Sequence, residues 1–393
     1  MRAKEKHITV LALFVNYILQ GMAAIILSQH LDKLTIQLNT TAKNISLVIS
    51  AIGLGRVLVL YLSGYLSDKY GRKMIILLGM ISYILFFLGI LLSTHILSAA
   101  FFALFAGFAN AFLDTGTYPA IAEIYPEHAG SISVFNKAFI SIGQFILPFL
   151  VSYFISNDIY YGYSFILCIV IAVVNLIVVW FCKFPKDRQC NNTQSISAPT
   201  FTKSQPSLKK EGIALFILGF TIVTLFNIIV WWLPEYAIQL AGMEREAALT
   251  LVSSYSLGSF ISVFITAYIS KKTKANDKIL LICSTITLFI LILIVCIPTP
   301  LICKLGAFGI GIFAAGGIWQ LALAIMLAFF PSRKGKATSI YTMATSISVM
   351  ICPYLTGLIA DINIRYVMIF NVSVAIINLV CVAYVYKRYN EVF

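Results

Sequence analysis

Apolar runs of about 20 residues or more follow one another through almost the whole chain, parted by short polar gaps. Hydrocarbon offers no partner to backbone N–H and C=O groups, so runs of this kind must close their hydrogen bonds internally as spanning helices. The runs cover 8–29, 44–66, 74–94, 98–122, 131–155 and 162–182, then 212–234, 247–269, 278–297, 301–329, 336–359 and 364–385. Composition agrees: 60% of residues are hydrophobic and 11% charged, where a soluble domain carries roughly a quarter charged. The expected fold class is an all-α membrane protein of twelve transmembrane helices. The run from Ile8 to Ser28 follows a basic start but ends in no small-residue cleavage site, so it reads as an uncleaved first span.

The formal net charge of +13 does not point to nucleic acid. The basic residues sit at the ends of apolar runs, the pattern of membrane topology and of contact with anionic lipid heads. Placing the N-terminus in the cytosol and alternating sides leaves Lys33, Lys43, Arg245, Lys304 and Arg365 outside and nearly all other Lys and Arg inside. That bias predicts an even number of spans with both termini cytoplasmic. The eight cysteines form no Cys-x-x-Cys pair and mostly fall inside apolar runs, so they read as small buried hydrophobes.

One polar stretch divides the chain. Residues 183–211 have linker composition and separate an N-terminal six-helix bundle, 1–182, from a C-terminal one, 212–393. An offset of 205 sets Pro126 on Pro331, Gly130 on Gly335, Ser141 on Ser346 and Pro148 on Pro353. Two pseudo-symmetric bundles with a solute site between them are one of the repeat plans of transporters.

The gap after the second run reads Gly64-Tyr65-Leu66-Ser67-Asp68-Lys69-Tyr70-Gly71-Arg72-Lys73. Gly64 suits close helix approach and Gly71 a tight turn. Asp68 stands at a helix C-terminus, where the dipole disfavours an anion and a partner is needed. This loop resembles the signature loop of the major facilitator superfamily, matched at Gly64, Asp68, Lys69, Gly71, Arg72 and Lys73. The resemblance implies that these residues form a gating motif whose acidic member joins a charge network bridging the halves when the outside is open. The matching loop of the second half, Ile269 to Lys274, keeps positive charge and lacks the Gly and Asp.

Charges at bilayer depth cost several kcal/mol and mark functional candidates. Arg56 lies 12 residues before Asp68, and Asp114 lies 12 before Pro126. Both therefore sit about 18 Å from the cytosolic surface, and a buried Arg56–Asp114 pair is expected. Asp114 either carries the coupling proton, with Arg56 tuning it, or only neutralises Arg56. Glu123 reads as an interfacial residue in a local salt bridge. Lys137 reads as snorkelling, as pairing with Glu123, or as holding an anionic solute. The stretch Asp114-Thr115-Gly116-Thr117-Tyr118-Pro119 resembles the fourth span of the fucose-permease-like branch, whose acidic residue serves proton and substrate. The acidic residue of that branch's first span is replaced here, at Ala24.

The resemblance also implies which spans line a central cavity. Their polar and aromatic residues are Asn16, Gln20, Tyr118, Asn136, Gln144, Asn227, Trp231, Trp319 and Gln320. Amides with aromatic platforms suit a neutral polar solute; the same amides also glue helices together. Trp232 is divided between this platform and an interfacial belt. Gly309, Gly311, Gly316 and Gly317, with Pro148 and Pro353, suggest bendable helices.

The sequence therefore predicts a secondary active transporter, not an enzyme, without cofactor or metal. It moves a small polar solute, a sugar or polar metabolite, by alternating access in proton symport. The expected partners are that solute, protons and membrane lipid, with a monomer in the cell membrane, a bacterial inner membrane on style of sequence. Proton-driven efflux and a non-transporting sensor are the alternatives, and sodium coupling stays open.

Overall fold

The computed structural model describes residues 3–126, 129–185, 210–273, 275–316, 318–330 and 334–392. The expected linker lies mostly outside these residues, as does Pro331. Among the described residues, helices long and apolar enough to cross a membrane are Lys4–Gln29, Ala42–Tyr70, Arg72–Leu92, Ile96–Ile124, Phe135–Ser156 and Tyr163–Phe181, then Glu211–Ala241, Arg245–Ile269, Asn276–Cys296, Pro300–Phe329, Ala337–Ile362 and Ile364–Val392. We number these spans one to twelve. Twelve spans match the twelve apolar runs, and the fold is all-α.

Local chemistry sets several ends. Thr299 caps the tenth span, its hydroxyl accepting from the Ile302 amide, with Pro300 in the first turn. Gly242, at φ +64°, ends the seventh span in the left-handed region. The tenth span is broken: its helix runs to Ile310, passes through a π-helical stretch at Gly311–Ala315 and resumes at Ile318. The glycines there had suggested a bend, and the break is where the backbone yields. One short helix, Leu31–Gln37, lies outside the apolar runs, being too short for one, and the eighth span opens with a separate short helix, Arg245–Leu249.

The helices pack as two halves of equal plan. In the first, the second span packs on the fourth, the first on the fifth and the third on the sixth; in the second, the eighth packs on the tenth, the seventh on the eleventh and the ninth on the twelfth. Between the halves, the second span lies on the eleventh and the fifth on the eighth. The same two-fold relation exchanges these two seams.

Small residues make the tightest crossings, since lipid gives no hydrophobic drive between helices. A Cβ on Gly107 would strike the Ile52 carbonyl and the Arg56 amide, and one on Gly55 would strike Leu104 backbone. This contact holds the second and fourth spans close enough for their polar side chains to meet. Gly107→Leu is expected to lower stability by about 1–3 kcal/mol or more through overpacking against backbone. Thermal unfolding in detergent measures it; a melting temperature equal to wild type would mean the crossing is not needed.

Candidate functional site

Arg56 stands at that crossing and Asp114 about two helix turns beyond Gly107, and they pair: Arg56 Nη2 donates to Asp114 Oδ2 at 2.9 Å. Their side chains keep 22% and 19% exposure although both lie far from the helix ends, so open space reaches them. The Tyr17 hydroxyl of the first span donates to Asp114 Oδ1 at 3.4 Å. The Tyr17 ring meets that of Tyr118 edge-on, 6.3 Å between centroids, and Asn136 of the fifth span faces Tyr118. Spans one, two, four and five thus build one polar centre. Asn110, one turn from Asp114, accepts from Tyr83 at 2.6 Å.

The other predicted residues divide. Gln20 and Gln144 sit at the close crossing of the first and fifth spans, where Gly21 and Gly143 meet the facing backbone. Each keeps a buried Oε1 without a hydrogen bond, as does Gln320, and both amide atoms of Asn136 lack one of good geometry. Asn16 instead accepts from Asn175 Nδ2 at 2.8 Å; its Oδ1 ties the first span to the sixth. In the second half, Asn227 is half-buried and Trp231 is buried. Trp319 packs on Tyr341, 5.4 Å between ring centroids, and the Tyr341 hydroxyl donates to the Trp319 carbonyl. Among the described residues, no hydrogen bond, ion pair or ring contact joins Trp319 or Gln320 to Asp114. Trp232 belongs to no belt: it is buried, and its Nε1 donates to Thr356 Oγ1 at 2.8 Å.

Glu123 is engaged by Arg72 Nε at 3.0 Å and not by Lys137. Arg72 also donates to Asp68 at 2.6 Å and to Ser67, so these motif charges are satisfied within the first half. Lys69 lies over the rings of Tyr65 and Tyr70. Lys73 Nζ donates to the carbonyls of Trp180 and Cys182 at the end of the sixth span, a cation on a helix C-terminus. Gly71 takes φ +86°, so the turn requires glycine.

Gly64 corrects an expectation. No atom lies within 4 Å of where its Cβ would be, so it makes no close helix approach here. The second and eleventh spans meet at Ser46 with Gly357 and at Gly53 with Met350, but Tyr61, farther along toward the basic face, is 90% exposed. On the face opposite the basic loops the halves are pinned: Arg245 donates to Asp32 at 2.6 Å, Lys43 lies 3.8 Å from Asp361, and Ser253 donates to the Phe145 carbonyl. These ion pairs border a polar vestibule of about 360 Å³. His30 lies beside it, bonded to Ser164 at 3.0 Å. Burial first, then Arg245 and Lys33, push its imidazole down to about 3, so it is neutral in ordinary conditions.

Continuing the register of the second and eleventh spans carries Gly64 to the level of Ser339. Gly64→Leu is therefore expected to leave the melting temperature unchanged, in contrast to Gly107→Leu. A drop of the same size would mean that the two spans meet there in solution.

Sequence reasoning missed Tyr17, which sits unremarked between Asn16 and Gln20. It also missed the Asp32–Arg245 and Lys43–Asp361 pairs. Their signal was present: Lys43 and Arg245 are among the few cations that break the inside bias.

The family model for the Major Facilitator Superfamily matches residues 9–314 and 304–391. The inner membrane transport protein YdiN of Escherichia coli (strain K12) is 36% identical over 386 residues, covering 98% of this chain and 91% of that protein. The MFS-type transporter YfkL of Bacillus subtilis (strain 168) is 37% identical over 385 residues, covering 98% and 97%. The crystal structure of a D-xylose-proton symporter superposes with a TM-score of 0.75 over 97% of both chains at 14% identity, a likeness of fold.

Proposed function

The chain belongs to the major facilitator superfamily, and from that premise we propose that it carries a small polar solute by alternating access in symport with protons. Asp114 is the proton site in this reading. The observation that carries it is a carboxylate held by Arg56 and Tyr17 far from either helix end, yet reached by open space. A purely structural pair gains nothing from that access. Intramembrane acids facing a cavity are the usual elements of proton relays.

The basic face is cytosolic in this proposal, supported by the distribution of Lys and Arg, and the membrane is a bacterial inner one, as in the name of the relative YdiN. The pinned face is then external, and the structure is the inward-facing member of the cycle. Solute binds from either side in the polar centre formed by Tyr118, Asn136, Gln20 and Gln144. The second half contributes Asn227, Trp231, Trp319 and Gln320 when it rocks. Gly64, Asp68, Lys69, Gly71, Arg72 and Lys73 gate the inner side, and the chain works as a monomer because its own halves enclose the path.

The test is proton entry into proteoliposomes on addition of sugars, carboxylates and lipophilic cations outside. Solute-dependent acidification by one class supports symport. Solute flux with no proton movement would overturn it in favour of facilitated diffusion or another ion.

A further inference from the structure

Resting on the transporter reading above, the charges of the polar centre narrow the solute further. Arg56 is neutralised by Asp114. Glu123, the other acid near the inner end of the fourth span, holds Arg72. That leaves Lys137, about 12 Å into its helix from Ala129. It is half-buried, and its Nζ lies 5.2 Å over the ring of Phe226, on the seventh span in the opposite half. No carboxylate lies within ion-pair reach of it among the described residues. A cation over an aromatic face regains less than an ammonium loses on leaving water at this depth. An unpaired lysine bridging the two halves is therefore a poor structural choice and a good anchor for an anion. Its chain neighbour Asn136 adds an amide with neither atom bonded, and Gln20 and Gln144 add free carbonyl oxygens. One cation beside uncommitted amides matches one carboxylate on a body bearing hydroxyl groups.

We propose that the solute is an organic monoanion, a hydroxylated carboxylate, and that Lys137 pairs with its carboxylate. The charge count then has a consequence. With Asp114 ionised, Arg56, Asp114 and Lys137, which lies at the seam between the halves, sum to a net +1 in the empty carrier. When Asp114 takes a proton, Arg56 is released and the sum becomes +2, which favours anion entry. The bound monoanion returns it to +1. Proton and anion thus bind with mutual reinforcement. The loaded and empty carriers cross with equal charge, so transport is electroneutral. A neutral solute carried with one proton would instead move charge.

The experiment uses matched pairs differing only in the carboxylate: D-glucuronate with D-glucose, D-gluconate with sorbitol, and 4-hydroxybenzoate with 4-hydroxybenzyl alcohol. Thermal stabilisation of the purified protein reads binding. Proteoliposome uptake, with and without a potassium–valinomycin potential, reads charge movement. The acid of at least one pair is expected to stabilise the protein while its neutral partner does not. Lys137→Met should weaken that response at least tenfold and Lys137→Arg should retain most of it, and uptake should follow the pH gradient and ignore the potential. Equal response to both members of every pair, including no response, overturns the proposal, as does full acid binding by Lys137→Met. Acid-selective, Lys137-dependent binding without proton movement would instead sink proton coupling and leave the anion assignment standing.

Discussion

Asp114→Asn is expected to reduce solute-driven proton entry to the level of empty liposomes while leaving exchange of labelled solute across the membrane. The amide keeps the size of the carboxylate; its Oδ1 can accept from Arg56 while its Nδ2 donates to the Tyr17 oxygen, so the polar centre keeps its shape. What it loses is the capacity to gain and release a proton. Exchange needs only that the loaded carrier rock in both directions, and a side chain fixed in the neutral form permits that. Net uptake needs the empty carrier to return, which requires the proton to leave. The measurement is internal pH together with radiolabel counterflow on the same liposomes. Proton entry that persists in the variant would reduce Asp114 to the partner of Arg56.

Arg56→Met should cost about 3 kcal/mol of stability or more, because it strands the Asp114 carboxylate in a low-dielectric interior. The double variant Arg56→Met/Asp114→Leu should recover most of that loss, since replacing both members of a buried pair by apolar groups is often neutral. Lowering the pH of the single variant should also return part of it by neutralising the stranded acid. Thermal unfolding of the three proteins across pH 5 to 8 in detergent provides the comparison. A double variant no more stable than Arg56→Met would show that the arginine acts through packing rather than charge.

The parts of this molecule set by local rules were legible in the sequence. Span positions follow from hydropathy and need no tertiary context. The Arg56–Asp114 pair followed from helical rise, because each residue could be measured from a loop whose side was known. Gly71 was readable because a turn with positive φ admits little else. Other features depend on which helices are neighbours or on the state of the cycle. Tyr17 looks like any aromatic residue in an apolar run until the first span is set beside the fourth. Glu123 had Lys137 as its one named cation by sequence, and only packing shows Arg72 taking it. Gly64 was read as a packing glycine, yet nothing lies within 4 Å of where its Cβ would be. A sequence that serves two conformations encodes the contacts of both, and a single structure displays one set.

The ion pairs that pin the face opposite the basic loops carry a kinetic message. Asp32 with Arg245, and Lys43 with Asp361, are partly exposed, and pairs of that kind contribute about 0–1 kcal/mol each. Every 1.4 kcal/mol added to a latch that must open on each round would slow turnover about tenfold. On the alternating-access reading proposed above, a weakly fastened gate leaves the driving gradients, rather than the latch itself, to decide which way the carrier swings.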